Sequence, residues 1–276
     1  MTIIPLQGPA AGGTLQAFQS LVPIAEKRTA ILICPGGAYL RIAEREAEPI
    51  AHRFMQLGFQ PFVLRYSAGV RFPAPMIQLA AAIATIRQNA EIWSISAIAI
   101  CGFSAGGHLA AYYAASWQTA KWVGEIGLPQ HLLRPDSVVL GYPVVDLSSL
   151  ASGKIAIGSN EVNLPEAMLR VTLGPDYERS IDAFRPDLLV TKDAPPMFIW
   201  HTAEDELVPA RNSIQLAAAL EANGVAHELH LFPGGVHGIA LGDVTTDVGG
   251  RFLNREAAGW PQLMADFIRK QPLASS

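Results

Sequence analysis

Gly102-Phe103-Ser104-Ala105-Gly106 closes the apolar run Ala97-Ile98-Ala99-Ile100-Cys101 and opens the helix-like stretch Gly107 to Ala115. Alone, a G-x-S-x-G pentapeptide is common. Between a buried strand and a helix it marks a turn that exposes one hydroxyl at the C-terminal edge of a parallel sheet. Glycines stand two residues to either side because so tight a turn has no room for side chains. If Ser104 were only a small turn residue, the features that follow would all be coincidence.

Serine at its free pKa is a poor nucleophile, so an imidazole must take its proton during attack. A buried carboxylate must then hold that imidazole in the right tautomer. Both partners are expected in loops just past strand ends, where distant residues meet. His237 lies in Pro233-Gly234-Gly235-Val236-His237-Gly238, directly after the run Glu228 to Phe232. Glu204, Asp205 and Glu206 follow the run Pro196 to Trp200. Asp205 is preferred among them because Val208-Pro209 begins the next helix. Asp146, after Val138 to Pro143, is the fallback acid. The tetrahedral intermediate of acyl transfer also needs fixed amide donors for its oxyanion. Pro35-Gly36-Gly37-Ala38-Tyr39 follows the buried strand Ala30 to Cys34, which makes the N–H groups of Gly37 and Ala38 the candidate donors. The Ala105 N–H supplies the second arm.

Strand and helix signals alternate from Thr29 onward, which predicts one α/β domain over residues 1–276 with a parallel sheet covered on both faces. Helices are expected at Ala43–Leu57, Pro75–Glu91, Ala210–Ala222 and Trp260–Lys270, and a short edge strand pair before Thr29. The alternation breaks over about 148–195, read as a small helical cap inserted over the site. Gly242–Asn254 is a second rim loop.

Together these residues resemble the α/β-hydrolase superfamily, from about Thr29 to Arg269. The likeness is strongest to its hormone-sensitive-lipase-like and acetyl-xylan-esterase-like carboxylesterases. The family's His-Gly-Gly-Gly loop stands here as Pro35-Gly36-Gly37-Ala38, matching at the two central glycines only. That departure fits small esterases with a Pro-Gly-Gly-x-Tyr loop, whose members are expected to deacetylate sugars. The resemblance implies an α/β-hydrolase fold with Ser104 as nucleophile, Asp205 as acid and His237 as base, in that order along the chain. It implies a serine carboxylesterase for short acyl esters, acetyl groups on sugars among them, with no cofactor and no metal. Tyr39 is expected to line the substrate pocket, core packing being the alternative. The same machinery would serve an amide-cleaving hydrolase of the peptidase or arylformamidase kind. A non-catalytic binding protein on this fold is the reading from another class, disfavoured because all three triad candidates are present.

His108, one helical turn past Ser104, is read as packing, and His201 as bracing a loop. Trp117, Trp122, Trp200 and Trp260 are read as core or rim. Half of the 276 residues are hydrophobic and 16% are charged, which predicts a well-buried globule. A net charge of −4 with no Lys/Arg cluster argues against nucleic-acid partners. The N-terminus lacks a secretory pattern and no apolar run reaches bilayer-spanning length, so a cytoplasmic protein without a membrane anchor is expected. Cys34 and Cys101 sit in expected buried strands that the resemblance implies are neighbours; two reduced core thiols are expected rather than a bridge.

Overall fold

The computed structural model describes residues 1–18, 26–118, 123–150, 154–157 and 160–271. In chain order the elements are β1 (Thr2–Pro5), β2 (Thr14–Ala17), β3 (Arg28–Cys34), α1 (Glu48–Gln56), β4 (Gln60–Arg65), α2 (Ala74–Gln88), β5 (Ile95–Phe103) and α3 (Ser104–Ser116). They continue with α4 (Val123–Ile126), β6 (Ser137–Gly141), β7 (Lys154–Ile157), β8 (Asn160–Asn163), α5 (Leu164–Thr172) and α6 (Pro186–Leu189). The chain closes with β9 (Met197–Thr202), α7 (Arg211–Ala222), β10 (His227–Phe232) and α8 (Trp260–Lys270).

Eight strands form one sheet in the order β1-β2-β4-β3-β5-β6-β9-β10. From β4 to β10 every pairing is parallel, whereas β2 runs antiparallel to both β1 and β4. The edge pair ahead of Thr29 is therefore present. Parallel strands covered on both faces must be apolar on both, and period-2 alternation divides them between two cores. Ala30, Leu32 and Cys34 of β3 pack with α2, α3 and α7 on one face. Ile31 and Ile33 pack with α1 and α8 on the other. Cys34 belongs to the first core and Cys101 to the second, so although β3 and β5 are neighbours the two thiols are free and buried.

Two elements differ from the sequence reading. The stretch expected to be helical from Ala43 holds a 3-10 turn at Glu44–Glu46, and α1 starts only at Glu48. The cause is Pro49, which lacks an N–H and whose ring would clash with the Arg45 carbonyl in a continuous helix. Pro49 is tolerated in the first turn instead. Within residues 148–195 an antiparallel pair, β7 with β8, precedes the helices α5 and α6, and the short apolar pieces there did not reveal it. Trp117, Trp200 and Trp260 are core residues; Trp122 lies outside the described residues.

Candidate active site

β5 runs straight into α3, and the corner residue Ser104 has φ 53, a left-handed conformation that a serine adopts only under constraint. The constraint is visible in the flanking glycines. A Cβ on Gly106 would come within 2.0 Å of the Cys34 carbonyl oxygen, and one on Gly102 within 2.2 Å of the Gly106 oxygen. Backbones of β3, β5 and α3 thus meet without side chains between them, and Ser104 is levered outward.

The loops after β9 and β10 bring Asp205 and His237 to this corner. Ser104 Oγ lies 2.8 Å from His237 Nε2, and His237 Nδ1 lies 2.6 Å from Asp205 Oδ2. An ionised carboxylate only accepts, so Nδ1 carries the proton and Nε2 accepts from the serine hydroxyl. The Asp205 side chain is fully buried while the imidazole keeps 15% exposure. Burial pushes the Asp205 carboxyl up, but it is outweighed. Hydrogen bonds from His201 and His237, the charge of His237 and the Val208 N–H hold its pKa well below the ordinary carboxylate range. The N–H groups of Leu207 and Val208 both donate to Asp205 Oδ1, so both oxygens are occupied. Glu204 and Glu206 are exposed. Asp146 is elsewhere: it caps the turn at Leu147–Ser149 and lies 3.7 Å from Arg185.

The loop after β3 turns through three consecutive positive-φ residues, Gly37 (φ 115), Ala38 (φ 55) and Tyr39 (φ 58). A side chain at Gly37 would sit 2.2 Å from the Arg41 carbonyl oxygen, so only glycine fits. Arg41 and Leu40 donate back to the Gly37 carbonyl, which closes the loop on itself. Gly37 and Ala38 line the same cleft as Ser104 and His237, a cavity of about 520 Å³. Leu40, Leu164 and Leu207 form its apolar wall and Arg41 and Arg45 its basic one. Ala105, the third candidate donor, follows Ser104 in the first turn of α3, where backbone N–H groups lack intrahelical acceptors.

Tyr39 corrects the sequence expectation. It is 1% exposed, its ring meets Tyr66, Phe72 and His108 edge-on or tilted, and its hydroxyl bonds His108 Nδ1 at 2.8 Å. The left-handed turn at Ala38 and Tyr39 swings the ring into the core, the packing alternative, and Tyr39 is not among the residues that line the cleft of Ser104 and His237. His108 is buried as expected, with Nε2 donating to the Phe184 carbonyl. Burial pushes its pKa down to about 4, against a smaller opposing effect of the Phe184 bond. His201 braces the acid loop: its Nε2–H lies 2.8 Å from the Val208 carbonyl and 3.3 Å from Asp205 Oδ2, and Nδ1 accepts from Ser213.

Two residues of the site were missed. Glu46 is 3% exposed, and its Oε2 accepts the Gly36 N–H at 2.7 Å. Tyr142, fully buried at φ 38, lies edge-on to the His237 ring at 5.1 Å between centroids. A signal for Glu46 was available: it stands four and eight residues before Ile50 and Phe54, an acid on an apolar stripe.

Among the described residues no group of three or more His, Cys, Asp or Glu side chains could hold a metal ion. No helix among them is long and apolar enough to cross a membrane.

Residues 5–220 match the family model BD-FAE. The chain is 30% identical over 226 residues to endo-1,4-beta-xylanase B of Butyrivibrio fibrisolvens, an alignment covering 78% of this chain and 33% of that protein. The chain spans about a third to a half of the length of the first curated relatives it matches. Among solved structures it is similar to the carboxylesterase Cest-2923 from Lactobacillus plantarum WCFS1, with TM-score 0.79, 31% identity and full coverage of both chains. It is also similar to an acetyl ester-xyloside bifunctional hydrolase from Caldicellulosiruptor lactoaceticus, with TM-score 0.78, 29% identity and coverage of 97% and 95%.

Proposed function

We propose that this chain, which belongs to the BD-FAE family, is a serine carboxylesterase acting on short-chain acyl esters, with acetyl groups on sugars as the preferred class. The observation that carries the reading is the unbroken hydrogen-bond path Ser104 Oγ–His237 Nε2, His237 Nδ1–Asp205 Oδ2 at 2.8 and 2.6 Å. In this reading Ser104 Oγ attacks the ester carbonyl as its proton passes to His237, and the buried Asp205 carboxylate stabilises the imidazolium. The negative oxygen is held by the amides of Gly37, Ala38 and Ala105. His237 returns the proton to the departing alcohol, and water then repeats the sequence on the acyl-enzyme. The chain's own groups supply the nucleophile, the base and the oxyanion donors.

The short-acyl preference draws support from the modest cleft and its apolar wall of Leu40, Leu164 and Leu207. The acetyl-sugar preference draws on the similarity to the acetyl ester-xyloside hydrolase. Leu164 belongs to the 148–195 insertion, which we read as a cap over a single hydrolase domain. A cytoplasmic location is part of the proposal, and two free buried thiols suit a reducing compartment.

The test is hydrolysis of p-nitrophenyl esters from acetate to octanoate beside Ser104→Ala. Activity that declines with acyl length and is lost in the variant is the expected result. Turnover of the matching anilides at a higher rate than the esters would instead favour an amide substrate.

A further inference from the structure

We propose that Glu46 is a positioning residue: one buried carboxylate sets the oxyanion loop and the catalytic imidazole relative to each other. Its catalytic meaning rests on the esterase reading above; its geometry does not.

The oxyanion loop follows β3 and the His237 loop follows β10, at positions four strands apart in the sheet. Nothing in the covalent chain fixes their separation, yet the oxyanion and the base must be placed within fractions of an ångström of each other. The structure spans the gap with three hydrogen bonds in series. The Gly36 N–H donates to Glu46 Oε2 at 2.7 Å. The Tyr142 hydroxyl lies 2.9 Å from Glu46 Oε1. The Ala240 N–H, three residues past His237, donates to the Tyr142 oxygen at 3.1 Å. Because that oxygen accepts from Ala240, its own proton is free to go to Glu46. Both carboxylate oxygens therefore receive donors, which an ionised glutamate satisfies and a glutamine does not.

Packing leaves the group no latitude. A Cβ on Gly36 would sit 2.7 Å from Glu46 Oε2 and 2.8 Å from Ser104 Cβ, so the carboxylate and the nucleophile crowd the same glycine. Tyr142 meets the His237 ring edge-on, so the same phenol that bonds Glu46 also shelves the base. Burial pushes the Glu46 carboxyl up, opposed by the charge of His237, the Gly36 and Tyr142 bonds and Arg45. Its charged and titratable neighbours are His237, Arg45, Tyr142, Tyr66 and Cys101, while His237 also faces Asp205. A structural glutamate in a hydrophobic core would be better replaced by an apolar residue. This one connects two halves of a site.

The experiment compares wild type, Glu46→Gln, Glu46→Asp and Tyr142→Phe by two readouts. One is steady-state hydrolysis of p-nitrophenyl acetate across pH. The other is the rate at which a fluorophosphonate labels Ser104, where the Oγ–P bond forms, fluoride leaves and the serine proton goes to His237. For Glu46→Gln we expect kcat and the labelling rate to fall about 10–100-fold with KM nearly unchanged. Losing a negative charge that faces the imidazolium also moves the acid limb of kcat/KM to lower pH. Glu46→Asp keeps the charge but not the reach, so it restores the limb and not the rate. Tyr142→Phe removes one oxygen atom and tests the second half of the path if Glu46→Gln does not fold. Folded Glu46→Gln or Tyr142→Phe that labels at the wild-type rate overturns the proposal. A lowered rate with an unmoved acid limb in Glu46→Gln overturns it as well, since a merely structural role gives that pattern. If the wild type labels rapidly yet hydrolyses no ester, the esterase reading fails while the labelling rates still judge Glu46.

Discussion

Asp205 stands between two histidines, and the consequences of that position are separable. Asp205→Asn should lower kcat about 10⁴-fold by favouring the wrong His237 tautomer. Asp146→Asn, which alters a carboxylate bonded to Ser148 and 3.7 Å from Arg185, should leave kcat within about 2-fold. Steady-state kinetics on p-nitrophenyl acetate checks both, and the reverse ranking would displace Asp205 as the acid. Asp205 also bears on stability. Its folded pKa is depressed, so its contribution is present above the unfolded value of about 3.9 and is lost as pH falls through the folded one. The Tm deficit of Asp205→Asn should accordingly be full at neutral pH and shrink below pH ~4. What was legible at this scale was position in the chain: Ser104, Asp205 and His237 each follow a strand's last apolar residue, and a strand end is where a side chain can leave the sheet. Direction was not legible. The ring of Tyr39 turns inward because Ala38 and Tyr39 take positive φ, a rotation that neither residue type nor period records.

Elements here are fixed by close backbone approach as much as by side-chain packing. Gly106→Ala would drive a methyl into the Cys34 carbonyl. It should cost about 3 kcal/mol or more in urea unfolding, in the range of severe overpacking. Gly224→Ala has open space around its Cβ and only the left-handed φ of 66 to overcome, so about 1 kcal/mol is expected. Similar losses at both sites would contradict the account of the β5–α3 corner. Between the loop after β3 and the stretch ahead of α6, His108 of α3 is the buried connector, bonded to Tyr39 on one side and Phe184 on the other. Its folded pKa of about 4 lies below the unfolded value of about 6.5. Its contribution is therefore complete above pH ~6.5 and is lost as pH falls toward 4. The Tm gap between wild type and His108→Gln should narrow over that interval; a constant gap would mean that His108 does not titrate there. Strands β3 to β6 and β9 were readable because each carries an apolar run bounded by turn residues, whereas β10 alternates Leu229 and Leu231 with polar residues. The β7–β8 pair was not, since Lys154–Ile157 and Asn160–Asn163 are two short, weakly patterned segments.

Across the whole molecule, a net charge of −4 gives little long-range field. For a neutral ester, kcat/KM should change less than about 2-fold between ~0.02 and ~0.5 M NaCl. A steep salt dependence would point to a charged substrate or to steering by the basic wall of Arg41 and Arg45. The sheet also divides the interior into two sealed compartments, and each compartment holds one thiol, Cys34 on the α2–α3–α7 side and Cys101 on the α1–α8 side. Neither thiol meets solvent in the folded state. Their reaction with an aromatic disulfide therefore times the lifting of a helical layer and nothing else. With Cys101→Ala and Cys34→Ala as single-reporter versions, the two layers can be clocked separately. Equal rates would mean that the molecule opens as one unit, and unequal rates would name the side that opens first.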